Sequence, residues 1–464
     1  MKPNGAAKPN GAAKPNGVAK PNGAAKTDVG LPNGHAAPGH APGPTPGGLP
    51  GTLAPVALYV HIPFCVSLCP YCDFVVVAGA AARGPRNRIA EFVAALRVEI
   101  ELRADELDAR FGQPRQANKP RSRGRPVLET LYLGGGTPSL LPGDELAGLV
   151  DLVRSRFGLA PGAEVTLEAN PGPDERGDPV AQRRAGITRL SYGAQSLDAG
   201  ELRTLGRRHS PADVGDAVAG ARSAGIPSVN LDLLYDIPRQ TLAGWMTTLD
   251  AALAIQPDHL SLYGLTLDDP DAEGLTGPEG DHLPTPPGAR RWRSAARLIQ
   301  DDDRAAGMYH HAVFRLAEAG WRGYEISNWA RPGHESRHNL MYWERRPYEA
   351  VGPGAHAFDG RTRRWNSARL DRYVGALRPA DGSPARLPPG DSEVIDPAAA
   401  STEAIILGLR MDRGVPASAL SADALAEVFS WALALELVSI EPDDRIRLTT
   451  RGRLLSNEVF ARLV

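Results

Sequence analysis

Between Pro55 and Thr266 the chain alternates short, β-branched runs with longer stretches of helical periodicity, and it does so six times. "VALYVHI" (56–62), "VLETLYLGG" (127–135), "EVTLEAN" (164–170), "RLSYGAQS" (189–196), "SVNLDLLY" (228–235) and "HLSLYGLT" (259–266) have strand composition. "RIAEFVAALRVEIELRADEL" (88–107) and "DELAGLVDLVRSRF" (144–157) space their apolar residues as helices do. Strict alternation predicts an α/β fold with parallel strands joined by right-handed crossovers. Six units predict an open, partial (β/α)6 barrel, with an open doubly wound sheet as the alternative.

The unusual residues fall at the carboxyl ends of these strands. Cysteines follow the first, and "GGGTP" (134–138) follows the second. Glu168 and Asn170 close the third, Gln195 closes the fourth, Asp232 lies on the fifth, and Thr266 ends the sixth. That rim is where parallel α/β folds bind ligands. Six such coincidences around one ring predict a single site at the barrel mouth.

All three cysteines of the 464 residues, Cys65, Cys69 and Cys72, sit in "CVSLCPYC". Three thiolates are one short of a closed tetrahedral zinc site, which His61 could complete. They are also one short of the four that usually hold a [4Fe–4S] cluster. The second shortfall has a use: three irons are anchored and the fourth stays open to an external ligand.

The loop resembles the cluster loop of the radical S-adenosylmethionine superfamily, and "GGGTP" is similar to that family's contact with the cofactor's methionine. "YVHIPFC", "LEANP", "GRRH", "NLDLLY", "YEISNWARPGHESRHNLMYW", "VGPGAHAF" and "IILGLRMDRGV" follow in the order of its coproporphyrinogen-oxidase-like branch, from about Pro55 to the C-terminus. The resemblance implies a [4Fe–4S] cluster on Cys65, Cys69 and Cys72, with S-adenosyl-L-methionine chelating the open iron. It also implies that reductive cleavage of the sulfonium yields a 5′-deoxyadenosyl radical. Cofactor contacts are implied at Tyr59, Tyr71, Gly135, Gly136, Thr137, Glu168, Gln195, Arg207 and Asp232, with Tyr71 against adenine. Carboxylates and amides suit a ligand with ribose hydroxyls, an ammonium and a sulfonium.

Two departures narrow the reading. Decarboxylating relatives carry a fourth cysteine two positions after the third; here Phe74 stands there. This favours the branch's heme-chaperone subgroup, which carries the HNxxYW signature found as "HNLMYW" from His338. His338 is thus a candidate heme ligand, with a structural cap as its alternative, and His356 is a weaker candidate. The family's "YGLPGQT" turn reads "YDIPRQT", so Asp236 and Arg239 replace glycines. If the turn needs positive φ, each costs roughly 1 kcal/mol or more.

The expected organisation is a disordered low-complexity tail (1–54), a radical SAM core barrel (55–275), an α+β extension with the HNxxYW segment (276–380), and a small winged-helix-like domain (381–464). The tail repeats "KPNGAA" and cannot bury enough apolar surface to fold. A basic stretch, "QPRQANKPRSRGRP" from Gln113, reads as a surface loop. "STEAIILGLRMDRGV" (401–415) is expected to be helical and then to turn, 424–440 to be helical, and a strand pair and a helix to follow from Arg445. Basic residues in the last domain are interspersed with acids, so nucleic-acid binding is not expected. Net charge is -2, which gives no field for nucleic acid. Three cysteines point to a reducing compartment. With no signal-like segment and no apolar run of ~20 residues, a cytoplasmic location is expected. The resemblance implies heme, a respiratory hemoprotein acceptor and an electron donor as partners, and leaves room for a homodimer and peripheral membrane contact. The alternative function is oxygen-independent coproporphyrinogen III oxidation, with other radical chemistry on an unidentified substrate third.

Overall fold

The computed structural model describes residues 52–115, 124–267, 270–271, 274–277, 280–421 and 423–464. The repeat tail up to residue 51 and most of the basic stretch after Gln113 lie outside the described residues. Six parallel strands build the centre: β1 (Ala57–Ile62), β2 (Leu128–Gly135), β3 (Leu159–Ala169), β4 (Arg189–Gln195), β5 (Ser228–Tyr235) and β6 (His259–Gly264). They pair in sequence order without reversal, which is the order of a barrel and not of a doubly wound sheet.

Helices α1 (Ile89–Phe111), α2 (Gly143–Phe157), α3 (Pro179–Arg184), α4 (Ala199–Thr204), α5 (Pro211–Ser223) and α6 (Leu242–Ala254) return the chain between strands. Their starts are legible locally. Pro211 opens α5 behind Ser210, whose side chain and that of Asp213 form a capping box. Thr241 caps α6 by accepting from Gly244 N.

Strand alternation divides the barrel chemically. Leu131, Leu133, Val165, Leu167, Leu190, Val229, Leu231 and Leu260 join Phe92, Leu96, Leu149 and Trp245 of the helices in one buried core. Burying each such side chain is worth about 2 kcal/mol, so this outer face holds the barrel together. The alternate positions, among them Tyr59, Thr130, Tyr132, Glu168, Ser191, Asp232 and Ser261, form a polar inner face free to build a site.

The sheet stays open and grows at both edges to twelve strands. At one edge β7 (Asn328–Ala330) runs antiparallel to β6, followed by Arg322–Gly323. At the other, β8 (Tyr348–Val351) runs parallel to β1, with Tyr59 opposite Ala350. This seventh parallel strand comes from far down the chain, so the β–α period could not announce it. His356–Phe358, Thr362–Asn366 and Gly390–Val394 extend that edge antiparallel. The sheet thus crosses the boundary expected at 380/381. The extension adds α7 (Pro287–Arg297), α8 (Asp302–Glu318), α9 (Arg337–Trp343) and α10 (Leu370–Leu377).

The C-terminal unit has its own core around Phe429, Leu437, Ile446 and Val459. Its three-stranded sheet is Val415–Pro416, Arg445–Leu448 and Val438–Glu441. The helix expected through Ile440 ends at Ala434. Glu436 takes φ 57, and this left-handed residue turns the chain so that Val438–Glu441 becomes a strand. The expected strand pair therefore spans Val438–Leu448 rather than starting at Arg445.

Candidate functional site

Phe64–Cys65 pairs in parallel with Val77–Ala78, which draws the cysteine segment into a closed excursion at the end of β1. Within it Cys72 N donates to Cys69 O at 3.1 Å. All three cysteines are free and half-buried. Among the described residues no group of three or more His, Cys, Asp or Glu side chains is arranged to hold one metal ion. His61 cannot complete a zinc site as it stands: Nδ1 pairs with Tyr59 Oη at 3.0 Å and Nε2 with Val75 O at 2.8 Å. A four-iron cluster takes each thiolate on a different iron and needs no such convergence.

The thiols do share one electrostatic environment. Burial pushes Cys65 up to about 12, and Cys69 adds to it. Burial also raises Cys72, as do Asp73 and the other two cysteines. Three thiolates here require positive charge inside the loop. Arg207 supplies some, with Nη1 donating to Cys69 Sγ at 3.5 Å. A cationic iron–sulfur core would supply the rest, so the donor set fits a cluster held by three cysteines.

A polar chain ties this loop to the rim. Thr137 Oγ1 meets Cys65 Sγ at 3.2 Å and accepts from Asn170 Nδ2 at 3.1 Å. Arg207 Nη2 donates to Asn170 Oδ1 and to Gly193 O, the latter at 2.7 Å. The ends of β2, β3 and β4 are thereby linked through the cysteine loop. Asn170 was noted at its strand end but not placed among the contacts; the structure makes it the joint between Thr137 and Arg207.

The glycine run is needed for this closeness. Gly135 takes φ 110, and a Cβ there would lie 2.4 Å from the His61 ring. A Cβ on Gly136 would lie 2.7 Å from Phe64 O, since Gly136 N and Thr137 N donate to Ile62 O and Phe64 O. The glycines therefore let β2 seat against the cysteine strand.

Glu168 is held by two donors, Tyr132 Oη at 2.8 Å and Gly135 N at 2.8 Å. Burial pushes its carboxyl up to about 7 despite both bonds, and Asp232 raises it further. Asp232 accepts from Asn230 Nδ2 at 2.7 Å and Ser191 Oγ at 3.3 Å, and burial raises it too. Gln195 sits at φ 65 where the β4–β5 register shifts, and strain of this kind collects at functional sites. Tyr59 faces the same interior, and its phenol is raised by burial and then by Glu168. Tyr71 packs on a side cluster with Leu205, Leu234, Ile237 and Trp292. Thr266, past the end of β6, adds nothing visible to the rim.

Two residues were missed. Arg293 of α7 is buried and donates to Pro70 O at 3.0 Å and Cys72 O at 2.7 Å; nothing in "RRWRSAAR" signals it. Tyr132 could have been found, because it stands two positions before the glycines on the inner face, opposite Tyr59.

His338, read above as a candidate heme ligand or a structural cap, is hydrogen-bonded at both ring nitrogens. Its Nδ1 pairs with Thr130 Oγ1 at 2.7 Å and its Nε2 with Tyr342 Oη at 2.8 Å. Burial pushes it down to about 3, so it is a neutral, fully bonded ring. It packs over Thr130 in the amino-terminal half of β2. His356 stacks on Trp365 at 5.7 Å and pairs through Nε2 with Asp281 at 2.8 Å, while its buried Nδ1 has no partner. The turn after β5 behaves as feared: Asp236 and Arg239 have φ 57 and 69. Arg304 of α8 compensates by bonding Asp236 at 2.5 Å.

Residues 59–252 match the model of the radical SAM superfamily. The chain is 38% identical over 410 residues to the heme chaperone HemW of Mycobacterium tuberculosis, covering 88% of this chain and 95% of that one. It is 35% identical to the HemW of Escherichia coli, covering 69% and 75%. It is 34% identical to the bovine mitochondrial radical S-adenosyl methionine domain-containing protein 1, covering 77% and 74%. Its fold matches the solved structure of coproporphyrinogen III oxidase (HemN) from Escherichia coli with a TM-score of 0.70 at 22% identity, over 89% of this chain and 90% of the other.

Proposed function

The chain belongs to the HemW family of radical SAM proteins, and from that premise we propose that it is a heme chaperone. It holds a [4Fe–4S] cluster on Cys65, Cys69 and Cys72 and S-adenosyl-L-methionine on the strand rim, and it passes heme to a respiratory hemoprotein. The observation that carries this over the decarboxylase is Phe74. It stands where a fourth thiol would and is 43% exposed beside the loop, so no further cysteine ligand is at hand.

When bound, the cluster supplies an open coordination site for the cofactor and an electron for its reductive cleavage. The chain's own residues do the rest. Thr137, Asn170 and Arg207 fix the loop against the rim. Gly135 and Gly136 bring backbone close to the cofactor's methionine end. Glu168 and Asp232 accept hydrogen bonds from hydroxyls or the ammonium, Gln195 offers an amide, and Tyr59 and Tyr71 present aromatic faces. Glu168→Ala and Gln195→Ala should each weaken cofactor binding while leaving iron and sulfide content intact; wild-type binding by both would refute the rim assignment.

Heme, its hemoprotein acceptor, an electron donor for the cluster, self-association and peripheral membrane contact belong to the same proposal, set in the cytoplasm. Among the described residues no helix is long and apolar enough to cross a membrane. The test is one anaerobically reconstituted sample, titrated with heme and assayed for coproporphyrinogen III decarboxylation. Stoichiometric heme binding without conversion is expected. Efficient conversion without heme affinity would promote the oxidase.

A further inference from the structure

The HNxxYW segment and the cofactor rim lie on the same two strands. Along β2 the inward positions are Thr130, Tyr132 and Gly134; along β3 they include Glu164 and Glu168. Helix α9 is tied to the first residue of each series. Thr130 Oγ1 bonds His338 Nδ1 at 2.7 Å, and Glu164 Oε1 accepts from His338 N at 3.0 Å. Glu164 Oε2 also accepts from Arg337 N at 3.1 Å. The next residues then hold each other. The His338 ring lies against Tyr132 with centroids 5.0 Å apart, and Tyr132 Oη donates to Glu168 Oε1 at 2.8 Å. A Cβ on Gly134 would lie 2.8 Å from Tyr132 Cε1 and 3.1 Å from Glu168 Cδ, so that glycine clears the path for the pair. Tyr342 locks the His338 ring from the other side through Nε2 at 2.8 Å.

We infer that Tyr132 is a positioning residue for Glu168, and that His338 and Tyr342 hold Tyr132 in place, so the HNxxYW segment sets the rim's affinity for S-adenosyl-L-methionine. This rests on the cofactor site proposed above. The physical reason is donor count. Glu168 has two donors; without Tyr132 it keeps Gly135 N alone and regains rotamer freedom. A hydrogen bond to a charged group is worth more than one between neutral groups, and burial of the Tyr132 phenol keeps its proton on as the donor.

The groups that face Glu168 are Tyr59 from β1, Tyr132 and Gly135 from β2, Asp232 from β5 and Tyr342 from α9. Of these, Tyr132 and Gly135 favour the carboxylate, and Asp232 opposes it. Removing the Tyr132 hydroxyl therefore moves the protonation midpoint of Glu168 upward.

The experiment is equilibrium dialysis of S-adenosyl-L-methionine against cluster-loaded protein from pH 6 to 9, with Tyr132→Phe and His338→Ala beside wild type. Tyr132→Phe should weaken binding about tenfold, keep full iron and sulfide, and shift the pH midpoint of binding upward. His338→Ala should do the same to a smaller extent. A purely structural role would lower yield or stability without moving that midpoint. Wild-type affinity and midpoint in Tyr132→Phe would overturn the inference. The Glu168 carboxyl band, identified by its loss in Glu168→Gln, is also titrated by infrared difference spectroscopy in the protein without cofactor. If wild type binds no S-adenosyl-L-methionine, the cofactor reading fails, whereas an upward shift of that band in Tyr132→Phe still supports the Tyr132–Glu168 coupling and an unmoved band refutes it.

Discussion

Arg293 Nη2 donates to the carbonyl of Cys72 at 2.7 Å, across 221 residues of chain. With its Nε on Pro70 O, the side chain clamps both sides of Tyr71 and the last cysteine from a helix outside the core barrel. The extension is thereby part of the cysteine site.

Arg293→Met should loosen that clamp. Two hydrogen bonds to loop carbonyls are lost, at about 1–3 kcal/mol in all. Cluster uptake on reconstitution should fall, and loss of cluster absorbance to a chelator should quicken several-fold, while Arg293→Lys keeps part of the effect. Chelation kinetics equal to wild type in Arg293→Met would show that the loop holds itself.

Glu168 should make the cofactor-free protein less stable at high pH. Its folded midpoint, about 7, lies above the ordinary 4.5 because of burial. A raised carboxyl contributes stability that is present below 4.5 and lost as pH rises through 7. The cost above that is about 3 kcal/mol, from one pKa unit being 1.36 kcal/mol. Glu168→Gln, which keeps the shape, should therefore raise the melting temperature at pH 8 and leave it nearly unchanged at pH 4.5. Thermal melts of both proteins across that range decide it, and an equal shift at both ends would rule the carboxyl out as the cause. The buried acid is a stability cost kept at the proposed cofactor rim.

Arg239 at φ 69 should be a second such cost, without the excuse of function. Asp236 tolerates the left-handed region better, as Asp commonly does, and has Arg304 as partner. Arg239 has the strain of an ordinary side chain there. Arg239→Gly should stabilise by about 1 kcal/mol and leave S-adenosyl-L-methionine binding unchanged. Denaturant melts would read the first and dialysis the second; a loss of stability would mean the arginine makes a contact worth more than its strain.

The barrel was legible because its signals are periodic and local: six strands read off alternation, with Glu168 and Gln195 at the ends of theirs and Asp232 along the fifth. What failed to show were partners distant in sequence. β8 enters beside β1 from residue 348, and Arg293 reaches the cysteine loop from a helix with no motif. The two readings of His338 stayed open in the sequence for a related reason. An HNxxYW segment gives the residue types of a heme pocket, yet both ring nitrogens are consumed by Thr130 and Tyr342, and only tertiary packing decides that. The helix drawn through Ile440 failed at one residue, Glu436, whose left-handed φ cannot be read from periodicity.

Which histidine could ligate a proposed heme depends on its free ring nitrogens. His338 and His356 are the candidates from the sequence, and His61 is a third histidine close to the cysteine loop. His338 has both nitrogens bonded and is neutral, with burial holding it at about 3. His61 has both bonded as well, to Tyr59 and Val75, and burial holds it at about 4. His356 alone of these keeps an unbonded ring nitrogen, Nδ1, while Asp281 orients the ring through Nε2. A carboxylate on the second nitrogen is how ligating histidines are commonly fixed and made more basic. If a histidine of this chain ligates heme, His356→Ala should shift the Soret band and weaken heme binding, and Asp281→Asn should weaken it about tenfold, as loss of an orienting partner does. His338→Ala should leave the Soret band where it is and lower only the affinity for S-adenosyl-L-methionine. Parallel heme and cofactor titrations of the three variants separate these outcomes. A Soret shift in His338→Ala with none in His356→Ala would mean that the floor of the barrel opens to take the porphyrin, breaking the Thr130 and Tyr342 bonds to free one nitrogen.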